Sequence, residues 1–130
     1  MVIVEVGYND TSDVYADAMP HVMGALEGAG VRVVVWVTLV EQIDGWAIIN
    51  QLIRNAPARW PRLVVADWAA VAADHPAWFA EGPHLTAEGG MAFARFLRDA
   101  VLGACGAPCA TAVEQPAPPP DEAALPVEVF

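Results

Sequence analysis

Val33-Val34-Val35-Trp36-Val37 is the stretch that decides the fold. It is β-branched or aromatic throughout and apolar at every position, so both faces of the strand must be buried. A strand of that kind belongs in a parallel sheet with helices on each side. Upstream, Met1-Val2-Ile3-Val4-Glu5-Val6 reads as a second strand, ended by Gly7. Thr11 or Asp10 can cap the helix that follows, and Asp13 and Asp17 suit its first turns. Pro20 predicts a break, with a second helical piece from about Pro20 to Glu27 placing Val22, Met23 and Leu26 on one side. Gly28-Ala29-Gly30 ends it.

Downstream of the central strand, Ile48, Ile49, Leu52 and Ile53 recur at helical spacing over Gly45 to Ala56, and Pro57 stops the run. Leu63-Val64-Val65-Ala66 is a third strand, followed by Asp67-Trp68 and a loop from Asp74 to Pro83. Thr86 caps a final helix from Ala87 to about Leu102, with Met91, Phe93, Ala94, Leu97 and Val101 available for packing. The five tryptophans read as core or sheet cover. The alternation predicts an α/β domain with a parallel sheet of about three strands over residues 1–102. Residues 103–130, with Pro116-Ala117-Pro118-Pro119-Pro120, predict a flexible Ala/Pro-rich tail.

Composition excludes several functions. The net charge is -10 and the six basic residues are all arginines, which argues against nucleic acid and anionic membrane surfaces. No apolar run is long enough for a transmembrane helix, and Met1 to Val6 lack the basic start of a signal peptide. As written the chain predicts a cytoplasmic protein, or an extracytoplasmic one if it belongs to a larger exported or membrane parent. Cys105 and Cys109 are spaced for a small disulfide loop or serve as inert thiols; without a nearby histidine they make a poor zinc site. No cofactor or metal is implied.

Two short motifs carry the chemistry. Gly7-Tyr8-Asn9-Asp10 leaves the carboxyl end of the first strand, where open parallel sheets bind ligands. Gly7 permits a tight turn and close approach of a substrate. Asn9 can donate to a developing oxyanion, or Asn9 and Asp10 can simply cap the next helix. His84 lies just ahead of the final helix with Glu81 three residues earlier. An imidazole so placed can act as a general base oriented by the carboxylate, or sit incidentally on a surface turn at Gly82-Pro83.

Together these motifs resemble the third and fifth signature blocks of the SGNH (GDSL-like) hydrolases, serine esterases and acyltransferases. The resemblance covers about the first 100 residues. It is most similar to SGNH domains attached to bacterial membrane acyltransferases, through Asp67-Trp68, His75-Pro76-Ala77-Trp78-Phe79 and Glu81-Gly82-Pro83-His84. The resemblance implies a flavodoxin-like three-layer fold and an acyl ester of a small molecule or glycan as substrate. It implies Asn9 as oxyanion donor, Gly7 as part of the substrate-binding turn, and His84 as general base assisted by Glu81. Glu81 stands where the family has Asp, and the blocks bearing the nucleophilic serine and a glycine do not appear. Ser12 is the only serine and reads as part of a helix start, so the nucleophile is unassigned. The chain thus resembles the back portion of the fold. That predicts an exposed edge at residues 1–6, open to a second copy or to a preceding segment. The alternative is an inactive relic or binding module of the same fold.

Overall fold

The computed structural model describes residues 1–106; Cys109 and the proline-rich stretch lie outside them. Three parallel strands, β1 (Val2–Val4), β2 (Val34–Val37) and β3 (Leu63–Ala66), form one sheet in the order β1-β2-β3. Val2, Ile3 and Val4 pair with Val34, Val35 and Trp36, and Val34 to Val37 pair with Leu63 to Ala66. All four residues of β2 are buried, as a central strand covered on both faces requires.

Alternation along β2 divides the core in two. Val34 and Trp36 face α1 (Ser12–Gly28) and α2 (Asp44–Asn55), where Tyr15, Met19, Met23, Ile49 and Ile53 are buried against them. Val35 and Val37 face α3 (Trp68–Ala72) and α4 (Ala87–Cys105), packing with Ala66, Trp68, Phe93 and Phe96. Both crossover helices lie on one face as the chain advances from β1 to β3, the arrangement that parallel crossovers of a single hand produce.

Helix α1 runs unbroken through Pro20, against the expected break. Tyr15, Met19 and Met23 follow one another at four-residue spacing and are all buried, so one continuous packed stripe crosses the proline. The His21 imidazole Nδ1 lies 2.8 Å from the Asp17 carbonyl oxygen, adding a partner in the turn where proline weakens the ladder. Thr11 is the N-cap, accepting from the Val14 N–H. One element appears between β3 and the expected loop, and a second inside that loop. Asp67 caps the five-residue α3 by accepting from the Ala70 N–H, and Pro76–Trp78 form a 3₁₀ turn. Helix α4 continues to Cys105, and Met91, expected in the core, is 58% exposed, because α4 turns that side to solvent.

Cover is incomplete at the edges. Ile3 and Val64 are 43% and 38% exposed, so α4 shields the central strand better than its neighbours. Among the described residues, strand β1 pairs only with β2. No helix among the described residues is long and apolar enough to cross a membrane.

Candidate functional site

Both sequence motifs sit at the carboxyl rim of the sheet, one after β1 and one between β3 and α4. Gly7 adopts a φ of 127°, in the region glycine alone enters freely. A methyl at this position would stand 2.7 Å from Tyr15 Cε2. The close approach that requires glycine is therefore made by the buried Tyr15 ring, not left open for a ligand. The Asp10 N–H closes the turn on the Gly7 carbonyl at 3.1 Å.

Tyr8 fixes this turn to the rest of the rim. Its hydroxyl accepts from the Val40 N–H at 3.1 Å, its carbonyl accepts from Trp46 Nε1 at 3.2 Å, and its ring meets Trp46 edge-on at 5.1 Å. Burial raises the Tyr8 hydroxyl above its ordinary pKa, so it stays a neutral acceptor for Val40. Asn9, between these anchored residues, is exposed and its side chain makes no hydrogen bond among the described residues.

The second motif is a closed loop. The Ala80 N–H donates to the His84 carbonyl at 2.8 Å, the His84 N–H to the Glu81 carbonyl at 3.2 Å, and Phe79 bridges to Leu85. Gly82 takes a φ of 55°, which suits the turn. Gln42 Nε2 donates to the Gly82 carbonyl at 2.9 Å. The segment after β2 thus touches both motifs: Val40 holds Tyr8 and Gln42 holds Gly82. The side chains of Glu81 and His84 are exposed and form no hydrogen bond with each other or with Asn9. The rim ties both motifs to one segment and leaves the Asn9, Glu81 and His84 side chains without hydrogen-bond partners among the described residues.

Beneath the rim lies a polar network that the sequence reading did not single out. Asn50, fully buried on α2, accepts from the Leu39 N–H and donates to the Leu39 carbonyl, both at 2.7 Å, and also donates to Glu41 at 2.9 Å. Thr38, also fully buried, donates to Asp67 and accepts from the Ala69 N–H, each at 2.9 Å. Arg54 bridges Glu41 and Asp67 at 2.9 Å. The Arg54 hydrogen bonds hold the Asp67 carboxyl below its usual range, with Thr38 assisting, and the Asn50 amide does most of the same for Glu41. The two carboxylates in turn push the guanidinium pKa up. Asn50, polar among Ile49 and Ile53 on an apolar helix face, was the available signal.

Beside this network a cavity of about 340 Å³ opens between the segment after β2 and α3. Val40, Ala69, Ala72, Pro76 and Phe79 give it apolar walls, and Glu41 and Gln42 stand at its polar side. His75 is stacked on Trp78 with ring centroids 3.9 Å apart, and Trp78 is stacked on Trp68. Ser12 is the first residue of α1, behind the Thr11 cap. No group of three histidine, cysteine or acidic side chains that would hold a metal occurs among the described residues. No known protein-family profile matches the chain, and no curated protein is significantly similar to it.

Proposed function

We propose that this chain carries the back portion of an SGNH-type esterase or acyltransferase fold, flavodoxin-like in plan, acting on acyl esters. The observation that carries the reading is the shared rim. Gly7–Asp10 follows β1 and Glu81–His84 lies between β3 and α4, and both are tied to the segment after the central strand β2 through Tyr8 and Gln42. A rim of this kind is where such sheets bind ligands. Asn9 would donate to the oxyanion, and His84 would take the proton of a hydroxyl nucleophile, with Glu81 turning toward the imidazole as it charges. The neighbouring cavity, apolar with one polar side, suits an acyl group and its ester oxygen. The open edge of β1 suits a pairing strand that brings the nucleophile, in line with the half-exposed Met1, Ile3 and Val6.

The test starts with p-nitrophenyl acetate and the 130-residue chain, which should show no burst and no turnover above imidazole background. The reading frame upstream of Met1 is then translated, and any strand followed by Gly-Asp-Ser is added to the expressed chain. In that extended form, His84→Ala and Asn9→Ala should each lower kcat by about 10²- to 10³-fold. Absence of such a segment within about 100 codons counts against the reading, as does turnover indifferent to both substitutions.

A second reading has its own observation. The side chains of Glu81 and His84 are not hydrogen-bonded to each other, and Ser12, the single serine, begins a helix. These features fit a rim that binds without reacting. Ester binding by the extended chain with no turnover would favour it.

A further inference from the structure

The end of the sheet opposite the candidate site carries a different chemistry. Arg32 lies just before β2, and Arg59 and Arg62 just before β3. The Val34 N–H donates to the Arg62 carbonyl, which sets these two entry segments side by side. None of the three arginines makes an ion pair among the described residues; the pairs found there belong to Arg54 and Arg98. In a chain of net charge -10, half of the six basic residues are thus gathered, unpaired, at one rim.

Next to them a groove of about 220 Å³ runs between α1 and the end of α2. Met19, Pro20, Leu52, Ala56 and Trp60 line it, and the Arg59 guanidinium lies over the Trp60 ring at 4.7 Å. An apolar trough with the Arg59 guanidinium at its wall, and Arg62 close by in sequence, fits a segment that is both apolar and acidic.

This chain contains such a segment. Residues 107–130 hold Glu114, Asp121, Glu122 and Glu128 and no basic residue, and their last part interleaves acids with Leu125, Val127, Val129 and Phe130. The described chain also leaves off at the right end. Helix α4 starts at the carboxyl rim and ends at Cys105, and Ala104 in its last turn packs in the same cluster as Val33, next to the β2 entry. From Ala110 to Pro120 are 11 residues, able to span up to about 36 Å. Passing from the helix layer on one face of the sheet to that on the other takes only about 20 Å. The exposed edge of β1 is a poorer seat, because Glu5 directly follows it and would repel an acidic strand.

We propose that residues 121–130 dock in the Trp60 groove, their apolar side chains against Met19, Leu52 and Trp60 and their carboxylates toward Arg32, Arg59 and Arg62. The docked segment is the chain's own.

The test uses the full chain labelled with 5-fluorotryptophan, and the Trp60 fluorine resonance is assigned through Trp60→Phe. Two variants leave the folded domain untouched: one with Leu125, Val127, Val129 and Phe130 changed to Ser, the other with Asp121→Asn, Glu122→Gln and Glu128→Gln. Docking predicts that the first moves the Trp60 resonance, that the second moves it part of the way in the same direction, and that Trp36, Trp46 and Trp68 stay in place. Salt at 0.5 M should mimic the second variant, since these charges face solvent. The wild-type resonance should not depend on protein concentration. A Trp60 resonance identical in all three proteins overturns the proposal. A concentration-dependent shift also overturns it, by assigning the groove to the segment of a second copy.

Discussion

Gly89 offers the sharpest test of how the second motif is held. It lies in the first turn of α4, buried against the 3₁₀ turn at Pro76–Trp78. A methyl added there would stand 2.0 Å from the Trp78 carbonyl oxygen, 2.8 Å from its carbon and 2.9 Å from Trp78 Cβ. Two of these atoms are backbone, so no rotamer relieves the clash. Non-bonded contacts settle at about 3.5 Å, so helix and turn must part by more than about 1 Å. The Trp78 carbonyl also accepts from the Thr86 N–H at 2.9 Å and from Thr86 Oγ1 at 3.2 Å, and both bonds would stretch. Overpacking costs about 1–3 kcal/mol and each weakened hydrogen bond up to about 1 kcal/mol. Alanine returns about 1 kcal/mol of helix propensity. The balance for Gly89→Ala is a loss of about 2 kcal/mol, or roughly 10 °C in Tm for a domain of this size. Gly90 is the control, since a methyl there meets nothing within 4 Å. Gly90→Ala should gain up to about 1 kcal/mol from propensity alone. Urea unfolding followed by circular dichroism measures both, and amide exchange should quicken over residues 79–86 in Gly89→Ala only. If both variants gain stability alike, α4 does not seat on Trp78 as described, and the placement of the His84 loop goes with it.

The Tyr15 hydroxyl accepts from Trp36 Nε1 at 2.6 Å inside the core, and its pKa is pushed up to about 12, chiefly by burial. Tyr15→Phe leaves the indole N–H without a partner and should cost about 1–3 kcal/mol in urea unfolding; an unchanged midpoint would remove this bond from the account. The carboxyls of Glu41 and Asp67 are held low in the folded state, so the stability they add is present above their unfolded values and fades as pH falls through the folded ones. Glu5 acts in the opposite sense, since burial raises it and its penalty is relieved on acidification. Because Arg54, Glu41 and Asp67 are each more than a third exposed, the pairs contribute only about 1 kcal/mol or less. Unfolding midpoints at pH 7 and pH 3 should therefore fall less in Arg54→Met than in the wild type, and equal falls would show that the bridge adds nothing.

The layered plan was legible because its signal is local and strong. Val33 to Val37 is apolar at every position, and such a run has one economical home, a strand covered twice; β3 was legible for the same reason. Pro20 misled because a rule about one residue was set against a stripe, Tyr15-Met19-Met23, whose burial only the assembled sheet supplies. Helix α3 was not legible because five residues show no periodicity, and its cap, Asp67, reads equally as a turn. Met91 went wrong because periodicity names a candidate face without saying how much of it a partner will cover. The network under the rim was out of reach for a different reason. Thr38 meets Asp67 across the β2–β3 register, and Asn50 meets Leu39 and Glu41 only where α2 folds back on the segment after β2.

The same comparison shows what the rim has and what it lacks. An oxyanion donor stabilises charge only when its direction is fixed before the charge forms. Here the fixing stops short of the three candidate side chains: Tyr8 is anchored at its hydroxyl, its carbonyl and its ring, and Gly82 by Gln42, while Asn9, Glu81 and His84 have no side-chain hydrogen-bond partner among the described residues. The cost of ordering those three side chains, of the order of 1 kcal/mol each, is therefore still to be met when a ligand arrives. A bound ester would have to meet it through contacts with the cavity walls, and a pairing segment on β1 would meet it beforehand. This predicts weak ester binding by the 130-residue chain itself, and any gain on extending it should come from ordering Asn9 and His84 rather than from enlarging the cavity.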